Sequence, residues 1–236
     1  MRKLACVAFV LLLPRLAAAQ VEDGYAPPAA VPVYTPPVRE VPAPAAANLQ
    51  GLTLGIGFGY GIPFGDILKS SSSGSGVSMS DGISGQIPFA LSVGYRVGPL
   101  FSFGAVFQYA PLTTKNCDSG SSCSASDTRI GLEARVHLLA EEPFSPWFSL
   151  GGGYEWFSLS ESGAQSGSGT LTGLDLDLQV GGDYRLAPFL TLGPYVGLRL
   201  GNYDSGSSGG SSADIPDANQ ATHGWLTFGA RGAFTL

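Results

Sequence analysis

Leu174–Leu186 reads LDLDLQVGGDYRL. Leu174, Leu176, Leu178, Val180, Gly182, Tyr184 and Leu186 fall on one parity, and Asp175, Asp177, Gln179, Gly181, Asp183 and Arg185 on the other. A side-chain period of two predicts a β-strand with one apolar and one polar face. The run is about twice as long as a common globular strand, and its polar face carries charges of both signs. A tilted strand that crosses a bilayer, apolar toward lipid and polar toward a wet interior, has this signature.

Seven other stretches repeat the pattern: Leu52–Tyr60, Gln86–Arg96, Phe101–Tyr109, Arg129–Leu138, Phe148–Trp156, Leu190–Leu200 and Trp225–Leu236. In none of the eight does the apolar parity hold a charged residue. A soluble lipocalin-like barrel also alternates, but it turns its apolar face inward and covers the outside with Lys and Glu. Here Lys3, Lys69 and Lys115 are the only lysines, and the polar parity is Gly, Ser, Thr, Arg, Asp and Glu. The predicted fold class is all-β: an eight-stranded antiparallel up-and-down transmembrane β-barrel. No apolar run is long enough for a membrane-spanning helix.

The connections alternate in length. Val97–Leu100, Ala140–Pro146 and Leu186–Phe189 are short, whereas Ile62–Ser84, Pro111–Asp127, Ser160–Thr170 and Asn202–Ala221 are long and rich in Ser and Gly. Short periplasmic turns and long outer loops are the asymmetry of outer-membrane barrels. Tyr60, Tyr109, Tyr154 and Trp156 then mark an outer aromatic girdle, and Tyr95 and Tyr184 an inner one. The Gly-Ser runs Ser70–Gly76 and Ser205–Ser212 read as flexible surface loops, because the strand–loop–helix context of a phosphate loop is missing. The long gaps also hold Asp66, Asp81, Asp118, Asp127, Glu161, Asp204, Asp214 and Asp217 against Lys69 and Lys115. They predict an acidic rim, either solvated or bridged to anionic outer-leaflet lipids by divalent cations.

Ahead of the barrel, MRKLACVAFVLLLPRLAAAQ has a basic start, an apolar core and a small-residue cleavage site, predicting a signal peptide over residues 1–19. Its removal takes Arg2, Lys3 and Arg15 and makes the net charge of −6 three units more negative. That balance argues against nucleic acid as a partner. Residues 20–48 form a Pro-rich periplasmic linker with seven prolines between Tyr25 and Asn48, and residues 49–236 the barrel.

The region Leu49–Leu236 resembles the small eight-stranded outer-membrane β-barrel superfamily, which includes the outer-membrane protein W and X families and the barrel half of outer-membrane protein A. GYGIPFGD, Gly59–Asp66, is similar to the strand-one exit of such barrels. The ending GARGAFTL resembles their C-terminal assembly signal in its Phe234-x-Leu236 spacing, departing from it in the final Leu and in Arg231 at the usual Gly position. The resemblance implies residence in the outer membrane of a Gram-negative bacterium. The implied partners are outer-membrane lipids and, during biogenesis, the barrel-assembly machinery.

Residues for chemistry are few. Cys117 and Cys123 are predicted to form a disulfide closing a small outer loop. His137 is placed in the lumen near a periplasmic turn, and His223 near the outer rim beside Asp214 and Asp217. No catalytic residue, metal ligand or cofactor is assigned. The inward parity places Arg96, Arg129, Arg135, Arg185, Arg199 and Arg231 against Glu133, Glu155, Asp175, Asp177 and Asp183. These charges predict an ion-pair network that fills the lumen, with Asp177–Arg199 and Arg129–Glu155 as named pairs. Inward glycines such as Gly151, Gly153 and Gly197 are read as room for the long arginines. The predicted function is a structural or surface-interaction role for a largely side-chain-filled barrel. The alternatives are a narrow channel for small, even apolar, solutes and, third, a lipid-modifying enzyme.

Overall fold

The computed structural model describes residues 50–69, 76–115, 117, 121–163 and 166–236. The predicted signal peptide, the Pro-rich segment, Ser70–Ser75 and Asp118 lie outside these residues. Eight strands form the wall. They are β1 (Gly51–Lys69), β2 (Ile83–Gln86, continued by Phe89–Val97), β3 (Phe101–Thr114), β4 (Ser122–His137), β5 (Phe144–Ser162), β6 (Gly167–Ala187), β7 (Leu190–Ser208) and β8 (Thr222–Thr235).

Each strand pairs antiparallel with its sequence neighbour, and β8 pairs with β1 from Thr53↔Thr235 to Gly65↔His223, closing the ring. Closure leaves no sheet edge among the wall strands, the condition for a β-sheet inside hydrocarbon. The strand β2 is interrupted at Ile87-Pro88. Pro88 has no N–H to give, but its carbonyl accepts from Gly59 N at 3.1 Å, and Ile87 N donates to Pro111 O at 3.1 Å, so the wall stays continuous.

Side-chain alternation settles the two solvents. Leu132 is 71% exposed and Leu174 66%, whereas Arg129, Asp175 and Arg199 on the other parity are buried. An exterior of exposed Leu, Ile, Val and Phe around a charged interior is stable only against lipid. The chain is therefore an integral membrane β-barrel. Tyr60, Tyr95, Tyr109 and Tyr184 are exposed on the outer face, while Tyr154 and Trp156, on the same parity, are half-buried against each other.

The long outer gaps are corrected by the structure: their described residues are mostly strand. The 21 residues of β6, at ~3.3 Å each and tilted by ~40°, rise about 50 Å, roughly twice the apolar band of ~25 Å. The wall thus continues beyond the lipid as a polar turret. Ser205–Ser208 belong to β7 and pair with Ser211–Asp214 across a Gly209-Gly210 turn, both glycines at positive φ. Ladder hydrogen bonds need no apolar period, so a Ser/Thr/Gly alternation forms regular strand where hydropathy shows only a loop. Cys117 and Cys123 form a disulfide at the outer end of the β3–β4 connection.

Candidate functional site: the lumen and its outer plug

At the centre of the barrel Arg199 reaches across from β7. Its Nη1 donates to Asp127 Oδ2 on β4 at 2.9 Å, its Nη2 to Gln108 Oε1 on β3 at 2.6 Å, and its Nε lies 3.6 Å from Asp177 Oδ2 on β6. One guanidinium fork thereby ties four strands together. Asp177 and Arg199 are also direct ladder neighbours, and this is one of the two pairs expected from the sequence.

Arg129 and Glu155 are likewise opposite each other in the ladder, but they do not pair. The Nε of Arg129 instead donates to both oxygens of Asp175, at 2.7 and 2.8 Å. Glu155 takes His223 as its partner, through His223 Nε2 and Glu155 Oε1. Ladder opposition brings backbones together, while a long side chain leans along the wall to the carboxylate that its rotamer can reach. Glycine decides what is reachable: a Cβ on Gly153 would stand 2.9 Å from both Arg129 Nε and Asp175 Oδ2. Some inward glycines make room for rings instead, as Gly181 does for Trp147 and Gly229 for Tyr195.

Nearer the short turns the remaining network residues take other partners. Arg135 Nη2 donates to both oxygens of Glu133, its neighbour on the same strand face, at 3.0 and 3.1 Å. Asp183 accepts from Trp147 Nε1 at 2.9 Å, and the guanidiniums of Arg135 and Arg231 lie 4.3 and 5.0 Å from the centre of the Trp147 ring. Arg96 Nη2 donates to Pro99 O at 2.9 Å, and Arg185 donates to the carbonyls of Ala140 and Glu141. These last two arginines fasten the turns rather than pair with carboxylates. Ser102 Oγ lies 3.4 Å from His137 Nε2, and His137 Nδ1 has no carboxylate to orient it, so the contact lacks the third member of a triad.

Two residues stand elsewhere than their sequence context implies. Asp127 belongs to the lumen and not to the acidic rim: it is 1% exposed and bound to Arg199. His223 is fully buried, away from the rim, paired with Glu155 and stacked on Tyr203 with ring centres 4.0 Å apart. The reason is the same for both. Asp127 lies two residues before Arg129 and His223 two before Trp225, so the inward parity carries them inside where the strands run on past the apolar stretch. Glu161 and Asp66 are partly exposed, and Asp81, Asp204, Asp214 and Asp217 exposed. Among the described residues no group of three or more His, Cys, Asp or Glu side chains is placed to hold a metal ion.

Above this charged layer sits an apolar plug that the polar reading of the lumen misses. Met79, Ile83, Ala125, Phe157, Tyr203 and Trp225 pack together, flanked by Ile67, Leu112, Leu171 and Ile215. Met79 comes from a single helical turn, Met79–Gly82, which folds the β1–β2 connection into the mouth. Over the plug, Ile67, Phe157, Leu159 and Leu171 line an open apolar cavity of about 560 Å³. Below it, the spaces left in the lumen are small, about 40 Å³ beside Gln108 and Arg129 and about 30 Å³ beside Arg96 and His137. Each has room for a few waters. The interior is filled by side chains and salt bridges.

No family model matches the chain, and no curated protein matches it. Solved structures similar to it include Neisserial surface protein A, at 18% identity and a TM-score of 0.45, covering 79% of this chain and 97% of that one. The outer membrane protein OprG from Pseudomonas aeruginosa is similar at 14% identity and a TM-score of 0.47, covering 81% and 99%. A major outer membrane protein from Thermus thermophilus is similar at 14% identity and a TM-score of 0.49, covering 78% and 99%. By its own closed ring of eight strands, lipid-facing exterior and ion-paired interior, this chain is a small membrane-spanning β-barrel.

Proposed function

We propose that the protein is a structural, surface-interacting barrel that displays a stiff extracellular turret without conducting solutes. The observation that carries this reading is the single Arg199 guanidinium bound to Gln108 and Asp127 and close to Asp177 across the middle of the lumen. Side chains fill an eight-stranded barrel readily, and a buried guanidinium leaves its carboxylates only at considerable cost. Export by the residue 1–19 signal peptide, a residue 20–48 linker in the periplasm and use of the barrel-assembly machinery belong to the same proposal. The test is a planar-bilayer recording. The purified barrel shows no steady conductance, and Arg199→Ala raises it. A large, stable channel in the unaltered protein refutes the reading.

A second reading, a route for small apolar solutes, is favoured by the 560 Å³ apolar cavity at the mouth. Uptake of an apolar solute by cells carrying the barrel, lost on Leu159→Asp, would support it over the first.

A further inference from the structure

Across the whole lumen the charges balance, but along the barrel axis they are sorted. The central layer holds Asp127, Glu155, Asp175 and Asp177 against Arg129 and Arg199. The periplasmic layer has the opposite excess: Arg96, Arg135, Arg185 and Arg231 against Glu133 and Asp183. Arg185 spends its donors on the carbonyls of the β4–β5 turn. The other three guanidiniums, with Glu133, Asp183 and His137, line the cavity of about 30 Å³. Its lining therefore carries one uncompensated positive charge with His137 neutral.

The donors in this layer are also incompletely used. Arg96 and Arg135 are over nine-tenths buried, yet Arg96 Nε, Arg135 Nε and His137 Nδ1 have no hydrogen-bond partner, and neither does the buried Arg231 Nη1. The Trp147 ring holds two of the guanidiniums by its faces but cannot neutralise them. The nearby carboxylates are already engaged, Glu133 with Arg135 and Asp183 with Trp147. A buried positive charge with unsatisfied N–H groups around a space of a few waters is the environment that a small anion stabilises.

We propose that the periplasmic half of the lumen is a binding site for one small monovalent inorganic anion of the halide class, held between Arg96, Arg135 and Arg231. The net charge of the lining sets the stoichiometry at one, and the cavity's size excludes carboxylic metabolites and phosphate esters. Thr53, Thr191 and Thr235, near the periplasmic ends of their strands, also line the cavity, so the anion enters from the periplasm. The site is independent of whether the barrel conducts, because it lies below the Arg199 layer.

The test uses the full chain folded in detergent micelles, with chloride as probe and gluconate replacing it at constant ionic strength. Chloride NMR line broadening should be saturable, correspond to one site per chain and be displaced by bromide. Arg231→Gln removes a charge-assisted donor and should weaken binding on the order of tenfold. Glu133→Gln raises the net charge of the lining and should strengthen it several-fold. Opposite effects of the two substitutions distinguish an anion site from general disturbance of packing, and Glu133→Gln decides the matter if Arg231→Gln does not fold. Absence of saturable broadening in the unaltered protein overturns the proposal, as does a Glu133→Gln barrel that binds chloride no better.

Discussion

Arg199 Nη1 and Asp127 Oδ2 meet at 2.9 Å although their strands, β7 and β4, are separated in the wall by β5 and β6. The bond therefore spans the lumen instead of running along the sheet. Both side chains are almost fully buried, at 5% and 1% exposure. Removing one partner leaves the other charged in a closed space. Arg199→Ala should lower the stability of the barrel by about 3–5 kcal/mol. The double variant Arg199→Ala/Asp127→Asn should cost less than the sum of the single changes. Urea unfolding in micelles measures both, and strict additivity would show that the two residues are not coupled.

Gly201 is where the wall makes way for a second buried pair. A Cβ there would stand 2.5 Å from Glu155 Oε1 and 2.8 Å from His223 Nε2. Both side chains are fully buried and cannot retreat into solvent. Gly201→Ala should therefore destabilise the barrel by ~1–3 kcal/mol through overpacking. Gly167→Ala, where nothing lies within 4 Å, should stay within about 0.5 kcal/mol of the unaltered protein. Similar melting losses for the two changes would contradict this account of the interior.

The lipid face and the lumen face are one residue apart at Leu178 and Gln179. Leu178 is 44% exposed on the outside, and Gln179 lines the lumen space beside Arg129 and Arg135. Leu178→Arg should cost about 2–4 kcal/mol if the position lies at mid-bilayer depth. Gln179→Arg should cost clearly less, since it adds a charge to a polar, water-accessible space that Glu133 also lines, rather than to hydrocarbon. Folding yield into lipid vesicles at graded urea concentrations compares them, and equal losses would remove the assignment of faces.

Topology is tested at the tip of the turret. Gly209 and Gly210 form the turn between β7 and Ser211–Asp214, and residues 208–214 are exposed. An epitope inserted between the two glycines should be labelled by antibody on intact cells while the purified barrel still folds into lipid vesicles. Labelling only after permeabilisation would turn the barrel over.

What the sequence determines by itself is parity. From Leu174 and Asp175 onward, each strand states which residues face lipid and which face the lumen, because a side-chain period of two is local and survives any register. Closure into an eight-stranded barrel follows from eight such strands, none of which can leave an edge in hydrocarbon. The ends of the strands are less legible. Hydropathy stops at the lipid boundary, so Asp127, Phe157, Tyr203 and His223 lie beyond the readable stretch even though each sits on the inward parity of its strand. Extending that parity by one or two repeats would have placed all four inside.

Only the tertiary structure decides the partners. Arg129 faces Glu155 in the ladder yet binds Asp175, because the absence of a side chain at Gly153 leaves room for that contact. Arg199 finds Asp127 through the curvature of the closed wall, which brings together strands that no local pattern relates. The separation of a carboxylate-rich centre from an arginine-rich end at the short turns has the same origin. Charge signs are written along each strand, but their heights become comparable only when closure fixes the stagger of all eight.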